Sequence, residues 1–124
     1  SNFLMSSTPQ PEKLTFQREQ RQLMVAFDSG ETFRIPFELL RVESPSAEVQ
    51  GHGDNKPPPV TNKDTVGVER AEPIGHYAVR IVFDDGHDSG YFTWSLLYDL
   101  GKNGADRMAA YQARVKAFAT GSTV

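Results

Sequence analysis

The chain has 124 residues, with 13 Lys and Arg against 16 Asp and Glu, and it contains no Cys. That length suits one domain, large enough to bury a core without cross-links. The absence of Cys excludes disulfides, thiolate metal sites and cysteine nucleophiles. A net charge of -3 argues against sequence-independent binding of nucleic acid, and no apolar run approaches the ~18–20 residues of a membrane span. Composition therefore predicts a cytoplasmic, single-domain protein that binds neither nucleic acid nor membrane.

The two ends of the chain differ in composition from its middle. Residues 1–12 carry two Pro and four Ser or Thr without a periodic apolar pattern, which predicts a disordered lead. Its first two residues, Ser1 and Asn2, are typical of a cloning remnant. Residues 13–119 are expected to form the single domain, and residues 120–124 are expected to fray.

Three short strands are predicted in the first third of the chain, over residues 14–18, 22–27 and 32–36, where apolar and polar side chains alternate. The segment Asp28–Glu31 supplies a turn, with Gly30 available for a positive φ. Pro36 ends the third strand because it has no N–H to donate to a ladder. The next residues, Phe37–Arg41, predict one or two helical turns.

A polar stretch over residues 43–65, with three consecutive Pro, predicts a long irregular loop. Strands are predicted after it at 66–74, 77–83 and 91–93. Thr93 is expected to cap a helix that begins at Trp94 and ends at Gly101. A last helix over about 105–119 carries an apolar stripe composed of Met108, Tyr111, Val115 and Phe118.

This order of elements, β-β-β-α, long loop, β-β-β-α-α, has hairpin-length connections between its strands, which favour antiparallel pairing. It predicts an α+β fold: a mostly antiparallel twisted sheet of about six short strands, a short helix in mid-chain and two C-terminal helices. The predicted core consists of Phe27, Phe33, Ile35, Leu39, Leu40, Val79, Ile81, Phe83, Trp94, Leu97 and Tyr111.

The charged segment that holds Asp84, Asp85, His87 and Asp88 admits two interpretations. Imidazole and carboxylate side chains could bind a metal or exchange protons, although the spacing is not that of a calcium loop. Alternatively the segment is a hairpin turn, because Asp, Gly and Ser are typical turn residues. His52 is flanked by glycines and has no orienting partner within reach in the sequence, which favours a solvated loop histidine.

Two long motifs carry a family resemblance: FELLRVESPSAEVQGHG at 37–53 and YAVRIVFDDGHDSGYFTWSLLYDLG at 77–101. Together with the preceding FDSGETFRIP, they resemble the gamma-butyrobetaine hydroxylase-like N-terminal domain family. That family includes small stand-alone bacterial proteins without an assigned activity, the N-terminal domain of carnitine-synthesis hydroxylases, and a domain fused to Mrp-type ATPases that carry iron–sulfur clusters. The resemblance implies a stand-alone member, since the chain has no room for the hydroxylase catalytic barrel.

The same resemblance implies a lost zinc site. In the hydroxylases three Cys and a later His bind zinc, and these positions correspond here to Ser44, Ser46, Val49 and His87. Three of the four ligands are therefore absent, so neither a metal nor any other cofactor is expected. The resemblance also implies that the loop after Arg41 packs near the turn at 84–90.

Two functions of different classes remain open. The first is a non-catalytic protein-interaction or accessory module, linked through the family to iron–sulfur or redox-enzyme maturation, with an unidentified protein partner and a monomeric or weakly dimeric state. Its candidate surface consists of Arg41, Ser44, Ser46, Glu48, Gln50, His52, Asp84, Asp85, His87 and Asp88. The alternative is a metal-binding protein or small enzyme that uses His52, Asp54, Asp84, Asp85, His87 and Asp88. The lack of a catalytic motif favours the module.

Overall fold

The computed structural model describes residues 9–44, 60–85 and 90–120. Within these ranges the chain forms six strands and three helices. In chain order they are β1 (Pro11–Gln17), β2 (Gln22–Phe27), β3 (Thr32–Pro36), α1 (Phe37–Val42), β4 (Val68–Ile74), β5 (Ala78–Phe83), β6 (Gly90–Thr93), α2 (Trp94–Lys102) and α3 (Gly104–Ala119). No helix of the described ranges is long and apolar enough to cross a membrane.

The first sheet is an antiparallel meander in the order β1-β2-β3. The predicted turn between β2 and β3 is confirmed, with Gly30 at φ +94° and its N–H donating to Phe27 O. The predicted disordered lead over residues 1–12 is wrong for its last residues. β1 begins at Pro11, which pairs with Phe27, and the Asp28 N–H donates to the carbonyl of Gln10. Through these backbone contacts, Gln10 and Pro11 are bound to the first sheet.

The second sheet is also antiparallel, in the order β4-β5-β6. The predicted α+β class and the six antiparallel strands are thus confirmed, but the strands form two three-stranded sheets instead of the single predicted sheet. Inner positions of β5 are occupied by Val79, Ile81 and Phe83, as their alternation with Arg80 and Val82 predicts. The core joins the inner faces of both sheets to α1 and α2.

Nine of the eleven predicted core residues are buried, whereas Phe33 and Trp94 are only half-buried and pack at its margin. Trp94 stays near the surface, where its indole Nε1–H donates to the carbonyl of His76 at 2.7 Å. In the described ranges, the sequence analysis missed five fully buried side chains, which are Leu23, Val25, Phe37, Phe92 and Leu100.

The start of α2 agrees with prediction, because the Leu96 N–H donates to Thr93 Oγ1 at 3.2 Å. The predicted end at Gly101 is wrong, since the helix continues to Lys102. Gly101 serves a different purpose: a Cβ there would lie 2.5 Å from the Cβ and Cγ of Phe33. At the end of α3, the Thr120 hydroxyl donates to the carbonyls of Lys116 and Ala117, so this first residue of the predicted frayed tail is held.

Candidate functional site

The described part of the candidate surface centres on an ion pair between α1 and the end of β5. Arg41, in the last turn of α1, is only 9% exposed, and its Nε–H donates to Asp85 Oδ2 at 2.9 Å. Lys63 Nζ donates to the same oxygen at 2.7 Å. The guanidinium is buried beside the core because Leu39 and Leu40 anchor its helix there. Two predicted surface residues, Arg41 and Asp85, therefore lie together, and the sequence analysis missed Lys63.

Asp84 forms two hydrogen bonds with the backbone of Gly67 at the end of the second sheet. Its N–H donates to Gly67 O at 2.9 Å, and its Oδ1 accepts the Gly67 N–H at 3.0 Å. The β4–β5 register shifts next to this point, between Val68 and Arg70, so these bonds close the ladder where regular pairing stops. A Cβ on residue 67 would lie 2.6 Å from Asp84 Oδ2, which explains a glycine there.

Ser44 lies against the first residue of β6. A Cβ at Gly90 would come within 2.8 Å of Ser44 Oγ and 2.7 Å of Phe92 Cε1. Together with the Arg41–Asp85 pair, this contact places the segment after α1 next to both ends of the 84–90 turn. The proximity that the family resemblance implies is therefore present among the described residues.

The other predicted site residues lie outside the described ranges: Ser46, Glu48, Val49, Gln50, His52, Asp54, His87 and Asp88. Inside those ranges, no group of three or more His, Cys, Asp or Glu side chains is arranged to hold a metal ion. Both described carboxylates of the hypothetical metal cluster, Asp84 and Asp85, already accept hydrogen bonds within the chain.

A second ion-pair network, which the sequence analysis missed, joins all three helices. Glu43, just after α1, accepts from Arg107 Nη1 at 2.6 Å and from Arg114 Nη2 at 3.1 Å. Arg107 Nε–H also donates to Asp99 Oδ2 at 2.6 Å. The spacing of the two arginines could have indicated this network. Arg107 and Arg114 are seven residues apart, which places them on one helix face two turns apart.

This network leads to a prediction for the pH dependence of stability. Hydrogen bonds from Asn103 and from Arg107 hold the pKa of Asp99 below its usual value of 3.8. A carboxyl whose pKa is lowered on folding stabilises the fold above its unfolded-state pKa, and this contribution is lost as pH falls through the folded-state value. We expect Asp99→Asn to lower the melting temperature at pH 7 and to have a progressively smaller effect as the pH falls below 3.8. A pH-independent difference in melting temperature would contradict this assignment.

Asp85 gives a second prediction. Replacement by asparagine removes the charge that pairs with Arg41 and Lys63 and leaves the guanidinium of Arg41 buried without its counter-ion. Because the Asp85 side chain is 18% exposed, solvent screens part of the effect, and we expect a loss of about 1 kcal/mol in urea unfolding. Glu69→Gln is the matched control, since the Glu69 side chain is 61% exposed and should change stability little. Equal effects of the two changes would contradict a structural role for the pair.

These observations define an α+β domain of two antiparallel sheets whose mid-chain helix is fastened by ion pairs to β5 and to the C-terminal helices. Residues 14–98 match the family described as gamma-butyrobetaine hydroxylase-like, N-terminal. The match spans more than half of the chain, and the chain belongs to this family. The resemblance drawn from the two motifs is thereby confirmed. No curated protein matches the chain.

Solved structures support the same assignment. The chain is 40% identical to a protein of unknown function of the DUF971 family from Acidithiobacillus ferrooxidans, with a TM-score of 0.62 over 73% of this chain and 91% of that one. A structure solved by NMR is 47% identical, with a TM-score of 0.77 over 94% of this chain and 87% of that one. Another NMR structure is 38% identical, with a TM-score of 0.74 over 94% and 90%.

Proposed function

We propose that this domain is a non-catalytic protein-interaction module. The observation that carries the proposal is that the carboxylates of Asp84 and Asp85 already accept hydrogen bonds from other residues of the chain. A general base or a metal ligand needs lone pairs directed at substrate or metal. Asp85 Oδ2 instead receives both Arg41 and Lys63, and Asp84 Oδ1 receives the N–H of Gly67. These contacts favour a structural use of the carboxylates over the alternative metal-binding or enzymatic function.

The same contacts bring together the described residues that flank the proposed surface. Arg41 donates to Asp85, and Ser44 lies close to Gly90. The proposed surface is the one predicted from sequence, with Glu48, Gln50, His52, His87 and Asp88 as residues that would contact the partner.

The class of partner follows from the family. Relatives of this domain are fused to Mrp-type ATPases that carry iron–sulfur clusters, and a domain that is covalently joined in one protein can act in trans in another. We therefore propose a cytoplasmic partner protein in iron–sulfur or redox-enzyme maturation. The module itself would act as a monomer or weak homodimer, since its partner rather than a second copy occupies the surface.

Affinity capture from a native lysate of the source organism tests the proposal. Three baits are compared: the unmodified domain, the double variant Glu48→Lys/His52→Ala on the proposed surface, and Tyr91→Ser. Tyr91 is 49% exposed on the outer face of the second sheet and serves as the control. We expect an iron–sulfur assembly protein to be retained by the first and third baits and lost by the second. Equal retention by all three baits would show that the partner binds outside the proposed surface. Stoichiometric metal in the untagged protein, without a captured partner, would favour the alternative metal-binding or enzymatic function.

A further inference from the structure

A polar cleft of about 210 Å³ lies where the β1–β2 turn meets the beginning of β4. Its lining includes the basic residues Arg18 and Arg21 and the acidic residue Asp84, together with Phe37, Thr65, Gly67 and Val68. The cleft is separate from the Arg41–Asp85 ion pair and uses residues that the proposed interaction surface leaves out, apart from Asp84.

Among the residues that the structure describes, no ion pair neutralises the cationic charge in this cleft. Within residues 9–44, 60–85 and 90–120, no carboxylate lies within ion-pair distance of the Arg21 guanidinium. Arg18 Nη1 donates to the carbonyl of Val68, an uncharged acceptor that leaves the positive charge in place. Asp84 contributes one negative charge, so the lining carries a net charge of about +1.

The backbone of Arg21 provides an independent observation. This residue has φ +55°, in the left-handed region that glycine enters freely and a residue with a Cβ enters at a cost. Its carbonyl accepts the N–H of Phe37 at 2.8 Å, so the turn is fastened to the beginning of α1. Backbone strain of this kind persists where the surrounding structure fixes it, and ligand clamps are among the places where it is found.

We propose that the cleft binds a single oxyanion group, a carboxylate or a phosphate. Arg21 would be its main ligand, because a planar guanidinium offers two parallel N–H donors that match the oxygen spacing of both groups. Arg18 adds charge from the neighbouring position, and the Thr65 side chain adds a hydroxyl donor to the lining. Asp84 opposes the ligand's charge and limits the affinity to weak binding.

Titration of the ¹⁵N-labelled domain followed by NMR tests this proposal. Inorganic phosphate and acetate are the two ligands, each added at constant ionic strength maintained with chloride. We expect saturable shifts of the Arg21, Thr65 and Gly67 amides with at least one of them, and the tighter of the two identifies the preferred group. Shifts that rise linearly with both ligands would overturn the proposal.

Two variants sharpen the result. Arg21→Gly removes the guanidinium and relieves the positive φ, so it should raise the melting temperature while weakening binding about tenfold. Arg21→Gln tests the charge without changing the backbone freedom and should weaken binding similarly. Arg34→Gln, at an exposed position of β3, makes the same charge change and should leave binding intact. Equal binding by the Arg21→Gln and Arg34→Gln variants would overturn the assignment.

Discussion

Replacing Phe27 with alanine is expected to lower the free energy of unfolding by about 3–5 kcal/mol. The Phe27 side chain is 2% exposed, and its ring packs edge-on against Tyr98 at 5.3 Å and against Phe33 at 5.9 Å between centroids. Truncation would remove both ring contacts and leave a cavity between the first sheet and α2, because the surrounding side chains relax only in part. Urea unfolding followed by circular dichroism measures the loss.

Trp94→Ala is the matched comparison, because it removes a larger aromatic side chain from a less buried position. Sequence reasoning placed Trp94 in the core together with Phe27, but the structure leaves it half-buried with its Nε1–H on the carbonyl of His76. We expect a cost of about 1–2 kcal/mol, from one hydrogen bond and partial packing. A loss at Trp94 as large as that at Phe27 would show that burial is not what separates the two positions.

Much of the fold follows from local sequence signals. The alternation in Gln22–Phe27 and Thr32–Pro36, the Gly30 turn and the Thr93 cap each depend on residues close in the chain, and the structure confirms all four. The division of six strands into two sheets could not be predicted in this way. Alternation identifies a buried face for each strand, but it carries no information on which strands of distant hairpins share hydrogen bonds.

The candidate site shows the same limit at the level of single contacts. Arg41 and Asp85 were placed on one surface through family resemblance, but their bond joins residues 44 positions apart and has no local signature. Lys63 lies in a stretch without periodicity, so nothing in the sequence distinguished it from a solvated lysine. The Glu43–Arg107–Arg114 network was missed because the apolar stripe of α3 carries no information on which distant carboxylate the arginines beside it meet.

Gly101 shows how a local rule fails where tertiary packing decides. A glycine near the end of an amphipathic segment is a common stop signal, and Gly101 was interpreted as one. The helix instead continues through it, because the glycine lets α2 approach β3 closely enough for Phe33 to occupy the space of a Cβ. The residue type was informative, but the physical reason for it lies in a strand more than sixty residues earlier.

That packing yields the second large effect. Gly101→Val would place a Cβ 2.5 Å from the Cβ and Cγ of Phe33, well inside the contact distance of two carbon atoms, and add two methyl groups beyond it. Because Phe33 lies on a paired strand of the first sheet, relief requires α2 to move away from β3. We expect a loss of about 2–3 kcal/mol in urea unfolding, since the modest gain in helix propensity over glycine does not offset overpacking of this kind.

Gly104→Val separates overpacking from a general intolerance of valine in these helices. A Cβ at Gly104 would meet only Leu39 Cδ2 at 3.6 Å, an ordinary van der Waals contact, and the residue begins α3 just as Gly101 lies near the end of α2. We expect this change to stay within about 0.5 kcal/mol of the unmodified protein. If the two variants lose similar stability, the close approach of α2 to Phe33 is not the cause. If Gly104→Val alone is neutral, the glycine at 101 is required by the packing of helix against strand.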